Sequence, residues 1–224
     1  MDFSEIVIQA IISYPFEENA YVVYRRGGND CLLVDPGTEP EKMLKFLDTN
    51  NLRLVAILVT HGHYDHIGGI SLLREVWEEC KIYTGRFDKE KLTDPQQNLS
   101  ARLGFPMTTP EADILLEGGE TLEIAGIPIQ VRYTPGHSKG HMIYMIPTEP
   151  KAILFGGDMI LYESVGRTDF PDGETMALYK SIQSQILSLP EDTVIYPGHG
   201  EPTTVGWERQ HNNDIKRGIA RFGR

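Results

Sequence analysis

Cysteine is scarce: two occur in 224 residues. Cys31 lies in the strand-like run CLLVDPG and Cys80 at the polar end of a helical pattern, a spacing that fits neither a disulfide framework nor a thiolate metal site. Both read as small buried hydrophobes. Long apolar runs are also missing. None approaches the roughly 20 residues that a membrane-spanning helix needs, so a membrane partner is excluded. Basic residues are outnumbered, with 21 Lys and Arg against 32 Asp and Glu and a net charge of −11. Phosphate backbones are gripped by clustered base, and no such stripe is present, so a nucleic-acid partner is excluded too. Bound divalent metals would offset part of that acidity. The opening MDFSEIVIQA carries acid where a secretory signal carries base, and it has no apolar stretch with a small-residue cleavage site. A cytoplasmic location is the expectation. With no repeat, low-complexity tract or Pro/Gly/Ser linker, residues 1–224 read as one domain.

What is present is a series of short β-rich runs: IVIQAII, AYVVYR, CLLVD, LVAILVT, IPIQVRY, HMIYMI, AILFGGD and TVIYPG, each bounded by Gly, Pro, Asp or Asn. Helical patterns lie between them: EPEKMLKFLDTN after Thr38 as a cap, GGISLLREVWEEC, and TMALYKSIQSQILSL. Strands alternating with amphipathic helices predict an α/β protein whose sheets are covered by helices on their outer faces. Residues 84–117 break the rhythm, being polar and proline-containing, and read as one or two short helices with loops.

Several strands run directly into a turn bearing His or Asp: LLVDPG, ILVTHGH, VRYTPGH, LFGGD and VIYPGHG. Side chains at strand ends can converge on one edge of a sheet while the strands hold them rigid. In VTHGHYDHIGG, His61 and His63 stand two apart on an extended segment and point to the same side, so both can meet one ion. Asp65 and His66 then turn away toward a helix start. One loop thus offers two incomplete metal sites, and His137, Asp158 and His199 are the later strand-end residues available to complete them. A lone histidine at a strand end is more often an ordinary hydrogen-bonding residue. Five of the seven histidines falling into such turns points to ligation instead. His141 and His211 remain outside the set, as hydrogen-bonding or surface residues.

The five segments, in this order and with HGHYDH as an H-x-H-x-D-H motif, resemble the metallo-β-lactamase fold superfamily over about residues 6–211. The resemblance implies a four-layer αβ/βα sandwich of two mixed β-sheets flanked by helices, with a metal site at one edge. It implies two divalent metal ions, zinc foremost, with iron or manganese also compatible with all-nitrogen-and-oxygen ligation. His61, His63 and His137 would hold one, Asp65, His66 and His199 the other, and Asp158 would bridge them; Asp35 would brace the site from behind. A hydroxide shared by two such ions attacks esters and thioesters, and Asp65 would orient it.

Within the superfamily, SVGRTDFPDG and PGHGEPTTVGWERQHNN resemble the stand-alone relatives of glyoxalase II, the hydroxyacylglutathione hydrolases. The implied substrate is a small-molecule thioester such as S-lactoylglutathione, or a related ester, with Arg167 where glyoxalase II grips glutathione with lysine. A structural ion pair is the other role for Arg167. Asp169, Gly200 and Glu201 depart from the glyoxalase II pattern, and the 25 residues after His199 are too few for its C-terminal glutathione-binding domain, so recognition of glutathione stays open. The 84–117 segment is expected to act as a lid in that domain's place. GRTDF also resembles the mononuclear-iron persulfide dioxygenases, and a non-catalytic metal-binding protein on the same fold is the third alternative.

Overall fold

A strand whose neighbours on both faces are apolar needs two cores, and the computed structural model, which describes residues 1–222, supplies both. Along β2 (Glu18–Arg25), Tyr21 and Val23 enter one core while Ala20 and Val22 enter another, as a side-chain period of two requires. Flanking β2 are β1 (Ile6–Ser13) and β3 (Asp30–Val34), both antiparallel to it. Then β4 (Arg53–Leu58), β5 (Lys81–Gly85) and β6 (Ile114–Leu116) continue in parallel, giving a mixed sheet in the order 1-2-3-4-5-6.

The second sheet is mixed as well. Its strands β7 (Thr121–Ile124), β8 (Ile127–Tyr133), β9 (Met142–Ile146) and β10 (Ile153–Gly157) form an antiparallel meander. After a small hairpin of β11 (Ile160–Leu161) and β12 (Ser164–Val165), β13 (Val194–Pro197) pairs in parallel with β10, and β14 (Thr203–Thr204) closes the edge. The sheets face each other across Tyr21, Leu32, Leu58, Val131, Tyr144 and Phe155. On the outer face of the first sheet lie α1 (Pro40–Thr49), α2 (Tyr64–Ile67) and α3 (Ile70–Val76), whose Met43, Leu47, Ile67, Ile70 and Leu73 meet Leu33 and Ile57. Outside the second sheet, α4 (Thr175–Ser181), its π-helical continuation Ile182–Ile186, α5 (Val205–His211) and α6 (Asn213–Phe222) cover Ile143, Leu154 and Ile195. The result is the expected four-layer αβ/βα sandwich. Cys31 and Cys80 are free and buried, and burial pushes both thiols up to about 12. Among the described residues no helix is long and apolar enough to cross a membrane.

Two local expectations are corrected. Thr38 does not cap α1: the helix begins at Pro40, whose fixed φ suits a first helical position, and the Thr38 hydroxyl instead donates to the Tyr14 carbonyl at 2.9 Å. Residues 84–117 hold two 3₁₀ turns, Arg86–Leu92 and Ser100–Leu103, but also β6, a three-residue strand too short for alternation to announce it.

Candidate metal centre

The ends of β3, β4, β8, β10 and β13 meet at one edge of the sandwich. Beyond β4 the chain stays extended because Val59 donates to Tyr83 and Thr60 to the Asp35 carboxylate; His63, with extended φ and ψ, then precedes α2. Six of the predicted residues fall into two compact groups, and Asp158 lies between them.

In the first group, His137 Nε2 stands 3.2 Å from His61 Nε2 and 3.0 Å from His63 Nδ1. Ligands placed tetrahedrally about 2.0 Å from an ion are about 3.3 Å from one another, so this spacing suits one ion. In the second group, His199 Nε2 is 3.5 Å and His66 Nε2 3.9 Å from Asp65 Oδ2. The Asp158 carboxylate reaches both: Oδ2 is 3.5 Å from His137 Nε2 and 3.7 Å from His199 Nε2, and Oδ1 is 3.7 Å from His66 Nε2. Buried polar atoms are normally hydrogen-bonded, yet His66 Nε2 and Asp158 Oδ1 have no partner among the described residues. Convergent lone pairs and orphaned buried atoms fit a pair of metal ions.

Four of the five imidazoles, all but His63, are aimed by what the other nitrogen does. His137 Nδ1 donates to the Arg167 carbonyl at 2.8 Å and His199 Nδ1 to the Phe16 carbonyl at 3.0 Å. A carbonyl can only accept, so both Nδ1 atoms carry a proton and both Nε2 atoms are turned toward the site. His66 Nδ1 meets Asp35 Oδ2 at 3.0 Å, and Thr60 Oγ1, which donates to the same oxygen at 2.6 Å, is left to accept from His61 Nδ1 at 3.1 Å. Asp35, held at a left-handed φ of 50°, thus has both oxygens engaged, one of them against His66. Glycine is required nearby: Gly157 has φ of 47°, and a Cβ there would strike Thr60 and His141; at Gly198 it would strike Asp158 and His66.

Protonation divides the groups. Burial holds the His61 and His63 imidazoles well below their ordinary range, and neighbouring imidazoles add to this. Burial acts the same way on His66, but the Asp158, Asp65 and Asp35 carboxylates outweigh it and raise that histidine well above its usual value. Asp65 is pushed up by burial and, on balance, drawn down by His66 and His199, so it remains ionised.

Several supporting residues escape a reading of the sequence. Asp88, fully buried, accepts from Gly62 N at 3.0 Å, Ser138 Oγ at 2.8 Å and Gly140 N at 2.7 Å, tying the His61–His63 loop to the His137 loop. Lys91, also buried, pairs with Asp172 at 2.7 Å and links the 84–117 segment to the loop bearing Arg167. His141 Nε2 accepts from Asp158 N at 3.2 Å, which fixes the shared carboxylate. Asp88 and Lys91 sit in a polar stretch with no motif; only the fold carries them to the site. His211 is far simpler, an exposed ring stacked on Trp207.

Above the donors opens a cavity of about 500 Å³, walled by Phe16, Leu99, Leu103, Leu161, Val165 and Phe170. Arg167 borders it, but its guanidinium makes two 2.6 Å bonds to Asp169 and lies over the Phe170 ring. Of the 84–117 segment, the turn at Leu99–Leu103 reaches the cavity, while Asp88 and β6 are built into the body of the fold.

Known proteins share this sequence pattern and fold. The profile of the Metallo-beta-lactamase superfamily matches residues 13–199. The chain is 35% identical over 199 residues to the "Probable metallo-hydrolase YqgX" of Bacillus subtilis, covering 88% of this chain and 92% of that one. It is 31% identical over 217 residues to the "Hydroxyacylglutathione hydrolase GloC" of Haemophilus influenzae, covering 92% and 96%. Among solved structures, BLEG-1 B3 metallo-beta-lactamase superposes with a TM-score of 0.89 at 37% identity over 93% of this chain and 99% of that one. TTHA1623, solved in a di-iron-bound form, superposes with a TM-score of 0.79 at 36% identity over 92% and 98%. With donors at four strand ends, two converging groups and a profile match across most of its length, the chain belongs to the metallo-beta-lactamase superfamily.

Proposed function

We propose that the protein is a binuclear metal-dependent hydrolase acting on a thioester such as S-lactoylglutathione or on a related ester. The observation that carries this reading is the Asp158 carboxylate, set between two separate groups of convergent donors at the floor of an apolar cavity. His61, His63 and His137 would hold one ion, Asp65, His66 and His199 the other, with Asp158 shared. Two adjacent divalent ions, zinc, iron or manganese, bring water to a reactive state near neutral pH, polarise a carbonyl and stabilise a leaving group. Asp65, ionised beside His66 and His199, supplies a carboxylate that accepts a hydrogen bond from the attacking water and sets its direction. The apolar walls offer a seat for the acyl group.

Similarity to a metallo-hydrolase and to a hydroxyacylglutathione hydrolase supports the hydrolytic class. The test is elemental analysis of the purified protein alongside three assays: hydrolysis of S-lactoylglutathione, hydrolysis of a β-lactam, and oxygen uptake on glutathione persulfide. Two ions per chain with thioester turnover support the proposal. One iron per chain with oxygen consumption would replace it by the dioxygenase, and β-lactam turnover alone would move the substrate to the class named for BLEG-1.

A further inference from the structure

Two arginines border the cavity, and their situations differ. Arg167 has its fork filled by Asp169. Arg102, from the turn at Ser100–Leu103, has neither a hydrogen-bond acceptor for its guanidinium nor a carboxylate within 4.0 Å among the described residues; Arg26, Arg132 and Arg217 also lack a carboxylate partner there, but of these four Arg102 is the one that lines the cavity, whereas Arg25, Arg53, Arg74, Arg86 and Arg209 are paired with acids. In a chain with a net charge of −11, an unpaired guanidinium beside the apolar walls of a cavity is out of keeping with its surroundings.

The turn that carries Arg102 is built for fixed placement. Asn98, fully buried, donates to the Lys91 carbonyl at 2.9 Å and the Met107 carbonyl at 3.0 Å, and its side-chain oxygen accepts from Ser100 N and Ser100 Oγ. The Asn98 carbonyl in turn accepts from Tyr64 N at 3.0 Å, anchoring the turn to the metal-site loop. Leu99 adopts φ of 73°, a left-handed conformation that costs a leucine roughly 1 kcal/mol or more and is held only where the surroundings enforce it. A planar fork on a fixed turn is preorganised for a carboxylate.

We infer that Arg102 is a specificity-determining residue: it binds a carboxylate on the portion of the substrate remote from the scissile bond, so the preferred substrate is an anionic thioester or ester. This rests on the hydrolase reading for its kinetic arm and on geometry for its binding arm. On this assignment the 84–117 segment contributes recognition through Arg102 as well as cover.

The test compares S-lactoyl-3-mercaptopropionate with its uncharged amide, using the metal-loaded wild type and Arg102→Gln. Arg102 is exposed, so the variant is expected to keep its melting temperature and metal content. Wild type should favour the carboxylate about tenfold in kcat/KM, about 1.4 kcal/mol. Arg102→Gln should lose that preference through KM, with kcat retained and the amide unaffected; Arg102→Lys should restore part of it. Equal slowing of both substrates, or no preference in wild type, overturns the inference. If wild type hydrolyses neither, the thioesterase reading fails, and calorimetric titration with 3-(methylthio)propionate then decides on Arg102. Binding about tenfold weaker in Arg102→Gln upholds it, and equal binding refutes it.

Discussion

The two donor groups are built from the same side chains under opposite conditions. His61, His63 and His137 are 0–3% exposed and contain no carboxylate, and His61 and His137 are braced by neutral oxygens, the Thr60 hydroxyl and the Arg167 carbonyl. In the other group, His66 is buried against the Asp35 carboxylate while the Asp65 and His199 side chains are 15% and 24% exposed. Burial dominates the first group, with neighbouring imidazoles adding to it, and keeps its imidazoles neutral and ready to ligate. Carboxylates set the second, which holds positive charge on its histidines and opens toward the cavity. The contrast predicts a tightly held ion in the first group and a more exchangeable one in the second. Because ligation needs the neutral imidazole, acidity should empty the carboxylate-rich group first.

The largest effect should come from the residue that touches both groups. Asp158→Ala removes the shared carboxylate, and stabilisation worth several kcal/mol from paired ions corresponds to a loss of roughly 10³-fold in kcat/KM. Elemental analysis should show fewer than two ions per chain. A variant that keeps both ions and its turnover would break the comparison at its centre.

Asp88→Ala should separate the groups. It removes the acceptor for Gly62, Ser138 and Gly140, which positions the first group and touches nothing in the second. Hydrogen bonds to a buried charge contribute roughly 1.5–3 kcal/mol each and are not additive, so a stability loss of about 3 kcal/mol is expected in denaturant melts. The ion held by His61, His63 and His137 should weaken while the other is retained. Equal loss of both ions would show that the groups are not independently positioned.

A smaller effect should follow from Thr60→Val, which removes the hydroxyl between Asp35 and His61 and so the brace common to both groups. Removing such a support commonly costs about 10–100-fold in metal affinity. Competition with a chromophoric chelator reads this directly; a loss under twofold would assign the bracing to Asp35 alone.

What the sequence disclosed follows the same division. His61, His63, Asp65 and His66 are legible because one short loop carries them, and His137, Asp158 and His199 because each follows an apolar strand into a glycine turn. The eight predicted runs became β1–β4, β8–β10 and β13. By contrast β6 and β14 are too short to show alternation, and β5 and β7 are flanked by polar segments that mask them. Asp88, Asn98 and Arg102 were illegible for a different reason. Their roles depend on where a polar segment is carried by long-range packing, and a lone Asp or Arg in such a stretch looks like any solvated charge. Arg167 stood out through its motif, yet its guanidinium is taken up by Asp169 only two residues away.

The subtlest consequence is a pH dependence of the metal-free protein. Burial lowers the folded-state values of His61, His63, His137 and His141, for His137 against the pull of Asp158. The unfolded chain therefore takes up protons there first, and stability falls as pH drops below about 6.5. For His66 and His199 burial is outweighed by carboxylates and the values are raised, so their contribution is complete below about 6.5 and is lost as pH rises through the folded value. Glu18, raised well above its ordinary range by burial, also loses stability as pH rises from about 4.5. Four histidines against one glutamate keep the net slope positive up to the ordinary histidine value, so the melting temperature of metal-free protein should peak near pH 6.5. His199→Gln should flatten the alkaline side, and so should saturating metal, which takes the place of the protons on the second group; neither change removes the acid limb set by burial in the first. A melting temperature that rises steadily from pH 5 to pH 9 in the metal-free wild type would mean that the carboxylates do not hold charge on His66 and His199, and that the two groups differ in exposure alone.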